Sequence, residues 1–353
     1  NIIKIQSCLI NQRLVWNKGV LKMGNKIAVL GSNSFSGSHL VDYFLKETNH
    51  EVIGISRSPE YPALFLPYLY RKERSPRFRF FQLNINTQLP KIFKLLDRER
   101  PEIIVNFAAQ GNVQYSWSNP IHWLMTNTVG IANLSFGLKD RPYLKKYIQI
   151  STPEVYGRCI NRKENIKTYN PSTPYAVSKI AGDLFLTTLF NKFGFPVCFV
   201  RSTNFYGPHQ QLYRIIPRTI IYLKLGKKIP LHGGGAVKRD FINISDVAYG
   251  IDKVILEGKI GNVYHLSSGE LVRIKDLVKL ICQKMNFDFM KSTEISHERT
   301  SQDPEYSLDS EAKTELGWMP KAVLSGGING VISWILDNWN EILKYPLEYV
   351  HQE

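Results

Sequence analysis

Lys26-Ile-Ala-Val-Leu30 runs directly into Gly31-Ser-Asn-Ser-Phe-Ser-Gly37 and then into His39-Leu-Val41. A five-residue run of this kind, closed by glycine, reads as a buried strand rather than a helix. The glycine-rich turn after it lets the backbone approach a pyrophosphate, which then rests on the N-terminus of the next helix. The spacing is G-x-x-S-x-x-G, with Ser34 where a middle glycine usually stands. Alone that turn carries little weight, but its place on the first strand of a β-α-β pattern raises it.

Working outward, strands are predicted over Lys26–Leu30, Glu51–Ile55, Phe78–Leu83, Ile103–Phe107, Lys146–Ile150 and Pro196–Arg201. Helical patterns alternate with them over Gly37–Lys46, Leu89–Asp97, Pro120–Leu138 and Pro174–Phe193. This alternation predicts an α/β fold, a doubly wound parallel sheet of Rossmann type covered on both faces. Past residue 205 the pattern is more broken, with Gly233-Gly-Gly235 and helices over Asp246–Leu256 and Ile274–Met285. That part reads as a smaller C-terminal α/β domain. Residues 1–22 open on Asn1 and lack the apolar core of a signal peptide, so they read as an extension outside the functional part.

The 353 residues suffice for two domain-sized units, and 43% apolar with 21% charged residues describes an ordinary globular chain. No apolar run approaches the roughly 20 residues that span a bilayer. Cys8, Cys159, Cys198 and Cys282 have no metal-ligand or C-x-x-C spacing, which predicts free thiols in a reducing, cytoplasmic compartment and no metal site. The net charge is +15, of which residues 1–22 carry +4 and leave +11. Such a balance suits a nucleic acid, a membrane surface or a phosphorylated small molecule, and more commonly reflects solvated lysines and arginines.

Two further stretches point to chemistry. An acid at the end of the second strand would bond a ribose 2′-hydroxyl, whereas an arginine accommodates a 2′-phosphate. Ile53-Gly-Ile-Ser-Arg57 has no acid there, so Arg57 leans the reading to NADP over NAD. Tyr175-Ala-Val-Ser-Lys179 follows Pro174 at a predicted helix start and puts phenol and ammonium on one helical face. A lysine cation beside a phenol lowers its pKa, which makes the phenolate a usable base.

Together Gly31…Gly37, Asn106-Phe-Ala-Ala109, Asn127, Ser151-Thr-Pro-Glu154 and Tyr175…Lys179 resemble the extended short-chain dehydrogenase/reductase family. Arg201-Ser-Thr-Asn-Phe-Tyr-Gly-Pro-His-Gln210, Lys238-Arg-Asp-Phe241 and Glu315-Leu-Gly-Trp318 are similar to its nucleotide-sugar branch. Within the branch the pattern is most like nucleoside-diphosphate-hexose 4,6-dehydratases, those acting on dTDP-glucose and GDP-mannose among them.

The resemblance implies a dinucleotide-binding domain over 23–205 holding the catalytic residues. It implies a domain over 206–353 that mainly binds a nucleoside-diphosphate hexose, some segments returning to the first. It implies that Gly31, Asn33, Ser34, Phe35, Ser36, Gly37, Arg57, Asn84, Ile85, Ala108, Ala109, Asn127, Tyr175 and Lys179 hold NAD or NADP. Gln110, Asn204, Arg214, Arg239 and Arg299 would meet the substrate. Tyr175 would take the 4-hydroxyl proton, Thr152 would bond that oxygen, Lys179 would hold the nicotinamide ribose, and Glu154 would remove the carbon 5 proton. The family's helices equivalent to Pro120–Leu138 and Pro174–Phe193 pair across a homodimer. No nucleic-acid or membrane partner is implied.

Pro153 departs from the pattern. The dTDP-glucose enzymes carry an aspartate there as the acid for the leaving hydroxyl, and proline has no side-chain donor. Glu154 acts as base and then acid, or a water or another group protonates that hydroxyl, or elimination is impaired. Glu305 before Tyr306 departs as well, where the family often has arginine. A decarboxylase or 4-epimerase of the same fold is the neighbouring alternative; Pro174 leans against the former and Glu154 against the latter. A quiet nucleotide- or RNA-binding homologue is the alternative of another class.

Overall fold

The computed structural model describes residues 24–70, 74–297 and 305–351. The expected extension over 1–22, Cys8 and Arg299 therefore lie outside the described residues.

Fourteen strands occur among the described residues. They are β1 (Lys26–Leu30), β2 (Glu51–Ser56), β3 (Phe78–Gln82), β4 (Ile103–Asn106), β5 (Lys146–Ser151), β6 (Cys159–Arg162) and β7 (Val197–Ser202). There follow β8 (Asn204–Tyr206), β9 (Ile229–His232), β10 (Lys238–Asn243), β11 (Val263–Leu266), β12 (Leu271–Arg273), β13 (Thr293–Ser296) and β14 (Tyr306–Leu308). Seven of them form one sheet in the order β11-β7-β5-β4-β1-β2-β3, every pair parallel. The order reverses beside β1, where Ala28 pairs with both Ile53 and Ile104. In such sheets the crevice at the carboxyl ends of the strands is where ligands bind.

The period of two along each strand sends alternate side chains to opposite faces. Ile27, Val29, Ile103, Val105, Ile148 and Val200 join one core with Leu40, Val41 and Phe44 of α1 (Phe35–Glu47). Ala28, Leu30, Ile53, Ile104, Tyr147 and Phe199 face the other, against α2 (Leu89–Glu99), α3 (120–138) and α4 (Pro174–Phe193). A third core gathers α5 (Ile215–Lys224), α7 (Ile274–Lys284) and α8 (Leu324–Asp337) around Ile220, Val278, Ile281, Ile328 and Val331. Between α5 and α7, α6 (Ile244–Glu257) returns to the first core with β11 and Trp318.

Two buried side chains stitch the late segments to the sheet. Lys146, 2% exposed, donates to the carbonyls of Val254, Ile255 and Gly258 at 3.1, 2.7 and 2.8 Å. It thus sets a cation on the carbonyl end of α6. Asp246 accepts the N–H groups of Lys321 and Ala322, each at 3.0 Å, and its carbonyl takes the Trp318 indole proton.

The structure departs from a regular helix at one expected place. α3 holds a π turn over Met125–Gly130. The Asn127 carbonyl in that turn lies so close to Gly182 of α4 that a Cβ there would meet it at 2.4 Å. The wide turn and the glycine fit each other, and such turns recur at functional sites.

Glu164, after β6, accepts the N–H groups of His265 (3.0 Å) and Glu311 (2.8 Å), joining three distant segments. Burial pushes its carboxyl up to about 7 against the opposing effect of those donors. The folded state therefore holds the proton more tightly, so this contribution is complete below the unfolded pKa and is lost as pH rises through 7. Glu164→Gln is expected to flatten the fall in thermal unfolding midpoint between pH 4.5 and 7, read by circular dichroism across that range.

Candidate active site

The glycine turn is built by close approach. Gly31 has φ +78°, and a Cβ on it would meet the Ala108 nitrogen at 2.8 Å. A Cβ on Gly37 would meet the Gly31 carbonyl at 2.3 Å, so α1 packs onto the turn only with glycine there. Ser34 explains why no middle glycine is needed. Its φ of −68° and ψ of 157° suit any residue, and its hydroxyl caps α1 by accepting the Gly37 N–H at 3.0 Å. Phe35 and Ser36 form the first turn of α1, whose leading N–H groups have no partner within the helix.

Asn33 ties this turn to the exit of β2. Its amide donates to Pro59 O at 2.6 Å and to Ser58 O at 3.1 Å, while its own N–H reaches Ser56 Oγ at 3.0 Å. Its Oδ1 is buried without a hydrogen-bond partner among the described residues. An orphaned acceptor, a glycine cradle and the N-terminus of a thirteen-residue helix fit a dinucleotide. Arg57 follows β2, its carbonyl accepting from Gln82 at 3.2 Å. Asn84 and Ile85 follow β3, with Asn84 Oδ1 accepting the Asn86 N–H at 2.8 Å. Ala108 and Ala109 follow β4, and the Ala108 N–H donates to Asn106 Oδ1 at 3.1 Å.

Asn127 and Gln110, expected at the cofactor and at the substrate, bond to each other. Asn127 is 1% exposed, and its Nδ2 donates to Gln110 O at 3.0 Å and to Ser178 Oγ at 2.9 Å. Its Oδ1 accepts the Gln110 N–H at 2.8 Å. Asn127 therefore positions the loop after β4 against α3 and α4, with both amide protons spent inside the protein. Gln110, in that loop, is itself buried.

The chemical groups meet at the end of β5. Thr173 caps α4 by accepting the Ala176 N–H at 3.1 Å, and Pro174 takes the first helical position. This sets Tyr175 near Thr152, whose side chain lowers in part the phenol pKa that burial raises. Thr152 Oγ1 also accepts the Glu154 N–H at 3.3 Å, capping the short 3₁₀ turn Pro153–Tyr156. Pro153 is the buried first residue of that turn, a place where a missing N–H costs nothing. Lys179, one turn along α4, donates to Ile150 O at 2.7 Å.

Burial dominates the electrostatics of both Tyr175 and Lys179. Burial raises the Tyr175 pKa, the Glu154 charge adds to it, and the Thr152 hydrogen bond and Arg214 lower it only in part. Lys179 is itself pushed down to about 8 by burial, with Asp183 opposing and Arg201 adding. Lys179 donates one of its protons to the Ile150 carbonyl from the same helix as Tyr175.

Of the residues expected at the substrate, Asn204, Arg214 and Arg239 come to this cleft. Asn204 Nδ2 donates to Asp240 O at 3.1 Å, and its Oδ1 accepts the Tyr306 hydroxyl at 3.2 Å. The Arg239 guanidinium sits 5.1 Å over the Tyr306 ring. Arg214 stands at the start of α5, its charge felt by Tyr175.

Sequence reading missed two contributors. Tyr306 had no motif of its own beyond its odd neighbour Glu305. The C-terminal stretch had no signal at all, yet Tyr349 packs on Tyr115 at 4.7 Å and Tyr213 at 5.3 Å, within electrostatic reach of Arg57 and Arg214. His351 stacks on Trp123 at 5.3 Å.

Asn127→Ala is expected to strand the Gln110 N–H and cost about 1–3 kcal/mol, read as a shift in the urea midpoint at unchanged slope.

The profile of the NAD dependent epimerase/dehydratase family matches residues 27–267. The chain is 28% identical to the human dTDP-D-glucose 4,6-dehydratase over 330 residues, covering 90% of this chain and 93% of that one. It is 26% identical over 323 residues to an Arabidopsis thaliana trifunctional UDP-glucose 4,6-dehydratase/3,5-epimerase/reductase. That match covers 90% of this chain but only 48% of the plant protein, so the chain spans about half its length. Among solved structures, the dTDP-glucose 4,6-dehydratase of Streptomyces venezuelae with NAD and TYD bound superposes with a TM-score of 0.82 at 27% identity. It covers 90% of this chain and 98% of that one. None of the helices among the described residues is long and apolar enough to cross a membrane. The glycine cradle, the seven-stranded parallel sheet and the family profile together place the chain in the NAD dependent epimerase/dehydratase family, the extended branch of the short-chain dehydrogenases/reductases.

Proposed function

We propose that this protein is a nucleoside-diphosphate-hexose 4,6-dehydratase, producing a 4-keto-6-deoxy sugar by internal oxidation and reduction. The carrying observation is the Glu154 carboxylate, held in the turn that Thr152 caps, whose charge adds to burial in raising the Tyr175 and Tyr306 phenols. A carbon-4 epimerase needs no carboxylate beside its phenol, whereas elimination needs a base for the carbon 5 proton.

A bound nicotinamide dinucleotide supplies a hydride sink at carbon 4 and a hydride source at carbon 6, its oxidised ring charge favouring the phenolate. Tyr175 takes the 4-hydroxyl proton, and Thr152, beside it, orients that oxygen through its hydroxyl. Glu154 removes the proton that the carbon 4 ketone has acidified. Arg214 and Arg239 flank the site as candidate partners of the diphosphate, since guanidinium groups suit phosphate oxygens. NAD is the favoured cofactor: the similar Streptomyces structure holds NAD, and the lean to NADP drawn from Arg57 gains no support from it.

A homodimer is part of the reading. Ile121, Met125 and Val129 recur every four residues along α3 and are exposed, as are Phe136 and, on α4, Val177 and Leu184. An apolar face of two adjoining helices suits a second copy of the same face.

Three measurements test this reading. Incubation with a panel of nucleotide-hexoses, without added reductant, is expected to give a 4-keto-6-deoxy product by NMR; inversion confined to carbon 4 would mark an epimerase instead. Glu154→Gln is expected to lower product formation by about 10²-fold or more, with hydride loss from carbon 4 retained. Light scattering is expected to give twice 40.6 kDa, falling to the single mass in Met125→Glu/Leu184→Glu.

A further inference from the structure

We propose that Tyr306 is the acid that protonates the departing 6-hydroxyl, in place of the side chain that Pro153 lacks. The proposal rests on the dehydratase reading above.

Pro153 is buried in the first position of its turn and offers no donor. Two phenols lie within reach of the Glu154 charge, with β14, which carries Tyr306, packed on the turn that holds it. Tyr175 serves the sugar's 4-oxygen in the reading above. That leaves Tyr306. Its side chain is 5% exposed, its hydroxyl donates to Asn204 Oδ1 at 3.2 Å, and Arg239 covers its ring at 5.1 Å. The backbone carries base and acid on one unit. Tyr306 of β14 pairs with Cys159 of β6, which directly follows the turn holding Glu154. Neighbouring Glu305 is turned to Lys238 at 3.5 Å and so does not compete for the role.

Burial and the Glu154 charge keep the Tyr306 proton in place until it is needed. A departing hydroxide is a stronger base than a phenolate, since water's pKa is about 15.7, so the transfer runs downhill. The step balances within the site. The carbon 5 proton moves to Glu154, leaving its electron pair in the enolate of the carbon 4 ketone, and that pair then becomes the double bond between carbons 5 and 6. The carbon 6–oxygen bond breaks, its oxygen takes the Tyr306 proton, and water leaves. The Tyr306 phenolate then recovers the proton from Glu154, restoring both groups.

The experiment compares wild type, Tyr306→Phe and Tyr306→Phe/Pro153→Asp on dTDP-glucose and UDP-glucose in deuterated water. Tyr306→Phe is expected to lower 4-keto-6-deoxy formation by about 10²–10⁴-fold. Deuterium should still enter carbon 5 of the recovered sugar, because oxidation and proton removal precede the step that needs the acid. Installing the aspartate in the Phe background is expected to restore at least about tenfold of the lost rate. An unimpaired Tyr306→Phe, or loss of carbon 5 exchange together with elimination at an unchanged unfolding midpoint, overturns this proposal alone. A double variant no faster than Tyr306→Phe also counts against it. A wild type that inverts carbon 4 without losing water overturns the dehydratase reading, and this inference with it.

Discussion

Lys179 is buried at 4% exposure, and its ammonium donates to the Ile150 carbonyl at 2.7 Å. A buried cation is tolerable only where partners replace its water. Here the carbonyl end of β5 and the charge of Asp183, one turn further along α4, fill that need. The contact sets α4 in one register against β5, and every chemical group depends on that register. Tyr175, a turn before Lys179, is thereby set against Thr152, and Thr152 caps the turn that presents Glu154.

The same constraint extends deeper. Asp183 accepts Ser151 Oγ at 2.6 Å and Arg201 at 2.9 Å, and Arg201 reaches the Tyr156 hydroxyl at 2.5 Å. Tyr156 meets His265 at 2.9 Å, and the His265 N–H is held by Glu164. A continuous buried polar chain thus links α4 and β5 to β7, β11 and the segment that carries Tyr306. Such a chain is costly when broken and specific when complete. It explains how residues from both halves of the chain converge on one cleft.

Much of this was legible beforehand, for identifiable reasons. Six strands were readable because each is a compact apolar run closed by a turn. The seventh, Val263-Tyr-His-Leu266, was not, because its buried histidine breaks the pattern and is satisfied only by distant partners. The glycine turn was legible, and its aberrant Ser34 made sense only as a helix cap. The internal bonds of Asn127 were not legible, since its partners Gln110 and Ser178 lie 17 and 51 residues away. Helical spacing brings Lys179 and Tyr175 to one face but does not say which carbonyl the ammonium meets. Tyr306 and Tyr349 reach the cleft only through pairings with segments far away in the chain.

Sequence alone determined the α/β alternation, the glycine cradle and the Tyr175–Lys179 spacing, because strand period, helical pitch and turn chemistry are local properties. It also posed the question of Pro153, since the missing donor is a matter of residue type. Only the tertiary structure decided what surrounds that proline: a turn that accommodates it, the Glu154 carboxylate, and a Tyr306 phenol brought alongside by the pairing of β14 with β6. Proton transfer depends on proximity, and the packing of β14 on the turn that holds Glu154 is set by sheet pairing and buried polar contacts, which no local pattern encodes.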